Sequence, residues 1–99
     1  MLQLNEANFH ENIKNTQGVV LVDFYADWCG PCRMLAQVLE ELENVTIYKI
    51  DTEESKNIAT EFKVSALPSV VFFKDGKEVE RLIGLRSVRD LQRVINSFI

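Results

Sequence analysis

The stretch Val19-Val20-Leu21-Val22-Asp23-Phe24-Tyr25-Ala26-Asp27-Trp28-Cys29-Gly30-Pro31-Cys32 decides the reading of this chain. Its first seven residues form a near-continuous apolar run, rich in β-branched and aromatic side chains. Such a run predicts a central strand buried on both faces. Beyond it, Leu35, Val38, Leu39 and Leu42 recur at helical spacing. Pro31 suits the first turn of that helix, where its missing N–H costs nothing. A strand therefore feeds a helix directly, with Cys29 just ahead of the first turn and Cys32 within it.

Working outward, Val45 to Ile50 reads as a second strand, and Thr52 is placed to cap a short helix carrying Ile58, Ala59 and Phe62. Strand, helix and strand at this spacing imply a right-handed βαβ unit with parallel pairing. After Pro68 come Val70-Val71-Phe72-Phe73, then Lys74-Asp75-Gly76-Lys77, then the alternating Glu78-Val79-Glu80-Arg81-Leu82-Ile83. Asp-Gly between two strand patterns signals a hairpin, and the charges of its second arm suit an exposed sheet edge. Ser87, with Asp90 three residues on, opens a last helix whose stripe is Val88, Leu91, Ile95 and Phe98. Upstream, Leu2 to Leu4 is a brief strand, and Asn5 is placed to cap a helix carrying Phe9 and Ile13. The outline is βαβαβα followed by ββα, an α/β protein with a mixed central sheet flanked by helices. Residues 1–99 read as one domain, without repeat or linker.

Composition narrows the function. Hydrophobic residues make up 46% and charged residues 26%, enough for a packed core without a staple. Fifteen acidic against eleven basic residues give a net charge of −4, with no basic run. Nucleic acid and anionic membranes are thereby disfavoured as partners. The N-terminus reaches polar residues too soon for a signal peptide, and no apolar stretch approaches a membrane span of about 20 residues. The expectation is a cytoplasmic protein.

Two cysteines separated by two residues are a poor structural staple, because closing so short a loop is worth only about 2 kcal/mol. At that spacing in a reducing compartment they point to redox chemistry or to metal. A zinc site in a single chain needs four ligands, and only His10 remains as a nitrogen donor, far off in sequence. Position favours redox chemistry. Unpaired N–H groups and the dipole at a helix start stabilise negative charge, so a Cys29 thiolate is favoured and poised to attack disulfides. Cys32, one turn away, is placed to resolve the mixed disulfide. Asp23 is a carboxylate in the middle of an apolar strand, where lost hydration raises its pKa, unless it lies at a water-exposed strand end. Lys49 shares a face with Val45 and Ile47, so it either pairs with a charge or snorkels to water.

Trp28-Cys29-Gly30-Pro31-Cys32 after a buried Val-Asp-Phe-Tyr-Ala strand resembles thioredoxin, and the likeness extends over essentially the whole chain. A bare Cys-x-x-Cys is weak evidence. The pentapeptide at a strand-to-helix junction, with Ala66-Leu67-Pro68 downstream and a closing ββα, is specific. The resemblance implies the thioredoxin fold and a protein-disulfide reductase in which Cys29 attacks and Cys32 resolves. Thioredoxins are themselves the standard example of a Cys-x-x-Cys thiol with lowered pKa. By the same resemblance, Asp23 exchanges protons with Cys32 and Lys49 is its charge partner. Pro68 matches the family's cis-proline beside the disulfide; without the likeness it is only a strand-start proline. Trp28, Gly30, Pro31, Leu67, Pro68 and Gly84 would then form the substrate groove, with Leu67 offering its backbone to an extended client segment. Core packing for Trp28 and a turn for Gly84 are the plainer alternatives.

The implied partners are disulfide-containing client proteins and a thioredoxin reductase drawing on NADPH. The protein would act as a monomer with no bound cofactor. The chain departs from the family pattern in places: Gln37 stands where many members carry a helix-kinking proline, and Tyr25 where tryptophan is frequent. Ser69 replaces the usual threonine, and Arg33 the usual lysine. None of these removes a catalytic group. The competing functions are an oxidase or isomerase, a thioredoxin-fold binding module with incidental thiols, and a metal carrier using both cysteines.

Overall fold

A computed structural model describes residues 1–99. In chain order the elements are β1 (Leu2–Leu4), α1 (Phe9–Asn15), β2 (Val19–Tyr25), α2 (Gly30–Leu39), β3 (Thr46–Asp51), α3 (Lys56–Glu61), β4 (Ser69–Lys74), β5 (Lys77–Ile83) and α4 (Val88–Ser97). The βαβαβα–ββα order and the α/β class are those the sequence implied. The strands form one five-stranded sheet in the order β1-β3-β2-β4-β5. β3 lies parallel to both β1 and β2, whereas β4 runs antiparallel to β2 and to β5.

β2 is central, and all its residues except Tyr25 are buried. Alternation along it divides the core in two. Val19 and Leu21 pack with Leu35, Leu39, Val70, Phe72, Leu91 and Ile95 on the face covered by α2 and α4. Val20, Val22 and Phe24 pack with Phe9, Ile13, Ile50, Ile58 and Phe73 on the face covered by α1 and α3. On that second face Phe9, Phe24, Phe62 and Phe73 form an aromatic cluster with ring centroids 5.3–6.4 Å apart. Tilted and edge-on contacts of this kind add to the burial itself.

Local signals explain most boundaries. Asp75 and Gly76 have φ of +51° and +84°, so both central residues of the β4–β5 turn are left-handed, as a type I′ hairpin requires. β5 is the exposed edge. Its Arg81 makes two bonds to Glu78 and a further one to the Phe62 carbonyl, tying the edge to the end of α3. Ser87 caps α4 by accepting from the Asp90 N–H at 3.1 Å.

Two caps differ from the sequence reading. Thr52 donates its hydroxyl to the Tyr25 carbonyl at 3.1 Å and caps nothing, because β3 continues to Asp51 and α3 starts only at Lys56. The first turn of α3 is capped from elsewhere: the Glu6 carboxylate accepts from the Asn57 backbone N–H at 2.9 Å. Asn5 organises the turn ahead of α1, accepting from Ala7 and Asn8, and Asn8 takes the N-cap position. Leu42 lies beyond the end of α2 but still packs against the core.

Phe9 is fully buried and holds α1 to the sheet. Phe9→Ala should cost about 3–5 kcal/mol in equilibrium urea unfolding. Met34→Ala, at a residue 59% exposed on α2, should stay within about 0.5 kcal/mol of wild type.

Candidate active site

The end of β2 delivers the chain into α2 through Ala26 to Cys29. Cys29 is the N-cap of the helix, with extended backbone (φ −89°, ψ 110°), and its Sγ accepts from the Cys32 N–H at 3.2 Å. A capping position suits a sulfur that becomes negative, since the first-turn N–H groups have no helical acceptor. Pro31 occupies the first turn without displacing a hydrogen bond. The two Cα atoms are 5.3 Å apart and the sulfurs form a disulfide. Both cysteines are almost wholly buried.

Behind Cys32 lies a cavity of about 190 Å³ lined by Asp23, Tyr25, Cys32, Arg33, Ala36 and Lys49, among others. The sequence placed Asp23 in the strand, and only the fold aims it into the same space as Cys32. Asp23 is 3% exposed, and its Oδ1 has no hydrogen-bond partner in the protein. Burial pushes its carboxyl up to about 7, with the Lys49 charge pulling the other way. Asp23 and Lys49 are register partners on adjacent parallel strands, which explains that influence. They make no ion pair, so Lys49 is a nearby charge and not a direct contact. The cavity has room for water, and Asp23, Arg33 and Lys49 are polar groups in its largely apolar wall.

The proposed groove residues gather at the same end of the sheet. Ser69 pairs with Phe24 on one side and with Ile83 on the other, so Pro68 lies beside the terminus of β2 and Gly84 lies beyond it, one strand further out. The Leu67–Pro68 bond is cis. Pro68 is buried, and its carbonyl accepts from the Gly84 N–H at 2.8 Å. Gly84 has φ of +90° and open space where a Cβ would stand, so its backbone conformation is what calls for glycine. Leu67 is half-buried against the Phe9 side of the core, and Gly30 is half-exposed between the cysteines. Trp28 is 68% exposed and not core; its indole Nε1–H donates to Glu53 at 2.9 Å.

Glu53 and Asp51 were not singled out from sequence. Asp51 is buried, and its Oδ1 accepts from the Glu53 and Glu54 N–H groups, shaping the turn that brings Glu53 to Trp28. Asp-Thr-Glu-Glu after a strand hints at an Asx turn. Nothing in it announces a partner 25 residues upstream.

The elevated Asp23 pKa has a consequence for stability. The folded value, about 7, lies above the ordinary 3.8, so the fold favours the neutral carboxyl. That contribution is fully present below the unfolded pKa and is lost as pH rises through the folded one. The oxidised protein should therefore lose on the order of 2–3 kcal/mol between pH 5 and pH 8 from this group. Asp23→Asn should remove that slope and be the more stable protein at pH 8. Urea unfolding of both at the two pH values checks this; parallel pH profiles would refute it.

Comparison with known proteins agrees with the geometry. The family model described as Thioredoxin matches residues 1–97. The thioredoxin of Chlamydia muridarum is 48% identical, over 97% of this chain and 97% of the relative. That of Chlamydia trachomatis is 45% identical, over 94% and 93%. Among solved structures, a point mutant of Halobacterium salinarum thioredoxin superposes with a TM-score of 0.90 at 37% identity, covering 98% of this chain and 88% of its own. Fasciola hepatica thioredoxin gives 0.89 at 35%, with both chains fully covered. With a cysteine pair at disulfide distance on a fold shared from end to end, the chain belongs to the thioredoxin family and is a protein-disulfide reductase.

Proposed function

We propose that the protein reduces disulfides of client proteins by a two-step exchange in which Cys29 attacks and Cys32 resolves. The observation that carries this reading is the N-cap position of Cys29, with the Cys32 N–H aimed at its Sγ. In the reduced protein that N–H and the helix dipole favour a Cys29 thiolate. The thiolate attacks one client sulfur, forms a mixed disulfide and expels the other client sulfur as a thiolate. Cys32 then attacks Cys29 Sγ, closing the disulfide within the protein and releasing the second client thiolate. Two electrons pass from the cysteine pair to the client, and a thioredoxin reductase supplies them again.

Resolution requires Cys32 to lose its proton. Asp23 shares the Cys32 cavity and, with a pKa of about 7, is matched to taking a proton near neutral pH. The flat surface of Trp28, Gly30, Pro31, Leu67, Pro68 and Gly84 is the proposed client groove, supported by its gathering at one end of the sheet. We assign the whole of residues 1–99 to one domain that works as a monomer in a reducing compartment, the cytoplasm.

Cys29→Ser should abolish reduction of insulin-type disulfides, and surviving activity would overturn the mechanism. Cys32→Ser should accumulate mixed disulfides with client proteins, seen as adducts that dithiothreitol releases. Asp23→Asn should slow mixed-disulfide resolution about tenfold or more at pH 7; unchanged kinetics from pH 6 to 8 would remove Asp23 from the proton path. A reduction potential near about −270 mV marks a reductant, whereas one above about −180 mV would favour the oxidase reading.

A further inference from the structure

Lys49 is half-buried on the face of β3 that α2 covers, and it makes no ion pair with any carboxylate. A lysine in that position ordinarily uses its flexible stem to reach water. Here its Nζ stands 5.5 Å from the centroid of the Tyr25 ring, within cation–π range. Tyr25 is two residues beyond Asp23, so it lies on the same face of β2, and all three side chains line the cavity beside Cys32. The other charged groups around them are Asp27 just beyond the end of β2, Asp51 and Glu54 around the β3–α3 turn, Arg33 on α2, and the α-amino group of Met1, which also lines the cavity. Burial and these carboxylates push the Tyr25 phenol up to about 12, so the ring stays neutral throughout the working range.

We propose that Tyr25 is a positioning residue for the exchange reaction: its ring face holds the Lys49 ammonium beside the cavity, where that charge acts on the Asp23 carboxylate. This inference rests on the proton path proposed above. It assigns that path a further member, which acts through Lys49. Without the ring, Lys49 turns to water, its charge is screened, and Asp23 holds its proton more tightly. A ring that merely sealed the cavity would act in the opposite sense. Its removal would admit water, relieve the desolvation of Asp23 and weaken its hold on the proton. The direction of the change therefore separates positioning from packing.

The test is the titration of the Asp23 carboxyl by carbon NMR in the oxidised protein, where neither cysteine titrates. Tyr25→Leu should raise the midpoint by roughly half a unit to one unit, and Tyr25→Phe, which keeps the ring, should leave it near wild type. In a Lys49→Met background, Tyr25→Leu should produce no rise. A midpoint unchanged or lowered by Tyr25→Leu, or an equal rise with and without Lys49, would overturn the proposal. The wild-type protein supplies a check that needs no variant: ring current from Tyr25 should displace the Lys49 Hε resonances upfield, and random-coil values would sink the idea. Because the readout is a titration and not turnover, failure here leaves the proton path standing, and that path falls only on the Asp23→Asn kinetics.

Discussion

A strand buried on both faces must find hydrogen-bonding strands on both edges and apolar cover on both sides, and β2 imposes this demand on the whole protein. β3 and β4 satisfy its backbone, one parallel and one antiparallel. Four helices supply the cover, two to each face. The demand also fixes where chemistry happens. The chain leaves the buried strand at Tyr25 and turns through Ala26 to Cys29 into α2, so the disulfide sits at the lip of the core.

That placement explains why a carboxylate survives inside β2. Val19, Val20, Leu21, Val22 and Phe24 are each worth about 1.5–3 kcal/mol when fully buried, on the order of 10 kcal/mol together. Keeping Asp23 ionised costs on the order of 4 kcal/mol at alkaline pH, and less as it takes up a proton. Apolar burial wins, and the strand keeps an acid whose pKa of about 7 suits proton exchange with a thiol. The same desolvation that weakens the fold is what raises that pKa. Lys49 moderates the effect from the next strand, and Tyr25 gives that lysine a reason to stay.

Periodicity made the strands and the main helices legible, because burial on one face or two leaves its mark every second or every third and fourth residue. Caps were harder. Thr52 and Asn5 have the right chemistry for capping, but Thr52 donates to the Tyr25 carbonyl on β2, Asn5 serves the turn ahead of α1, and α3 is capped by Glu6 from a distant loop. Sequence proximity could not rank those alternatives, since a side-chain oxygen goes to whichever unpaired N–H the tertiary fold brings near.

From sequence alone came the α/β order, the buried β2 and the placement of Cys29 and Cys32 across a helix start, all of which depend on local pattern. The tertiary structure decided what meets what. It aimed Asp23 into the Cys32 cavity, brought Pro68 and Gly84 to the same end of the sheet, and left Trp28 exposed against Glu53. It also set Lys49 over the Tyr25 ring. These contacts depend on strand order and register, and a chain that could pair its strands differently does not write that choice in any local stretch.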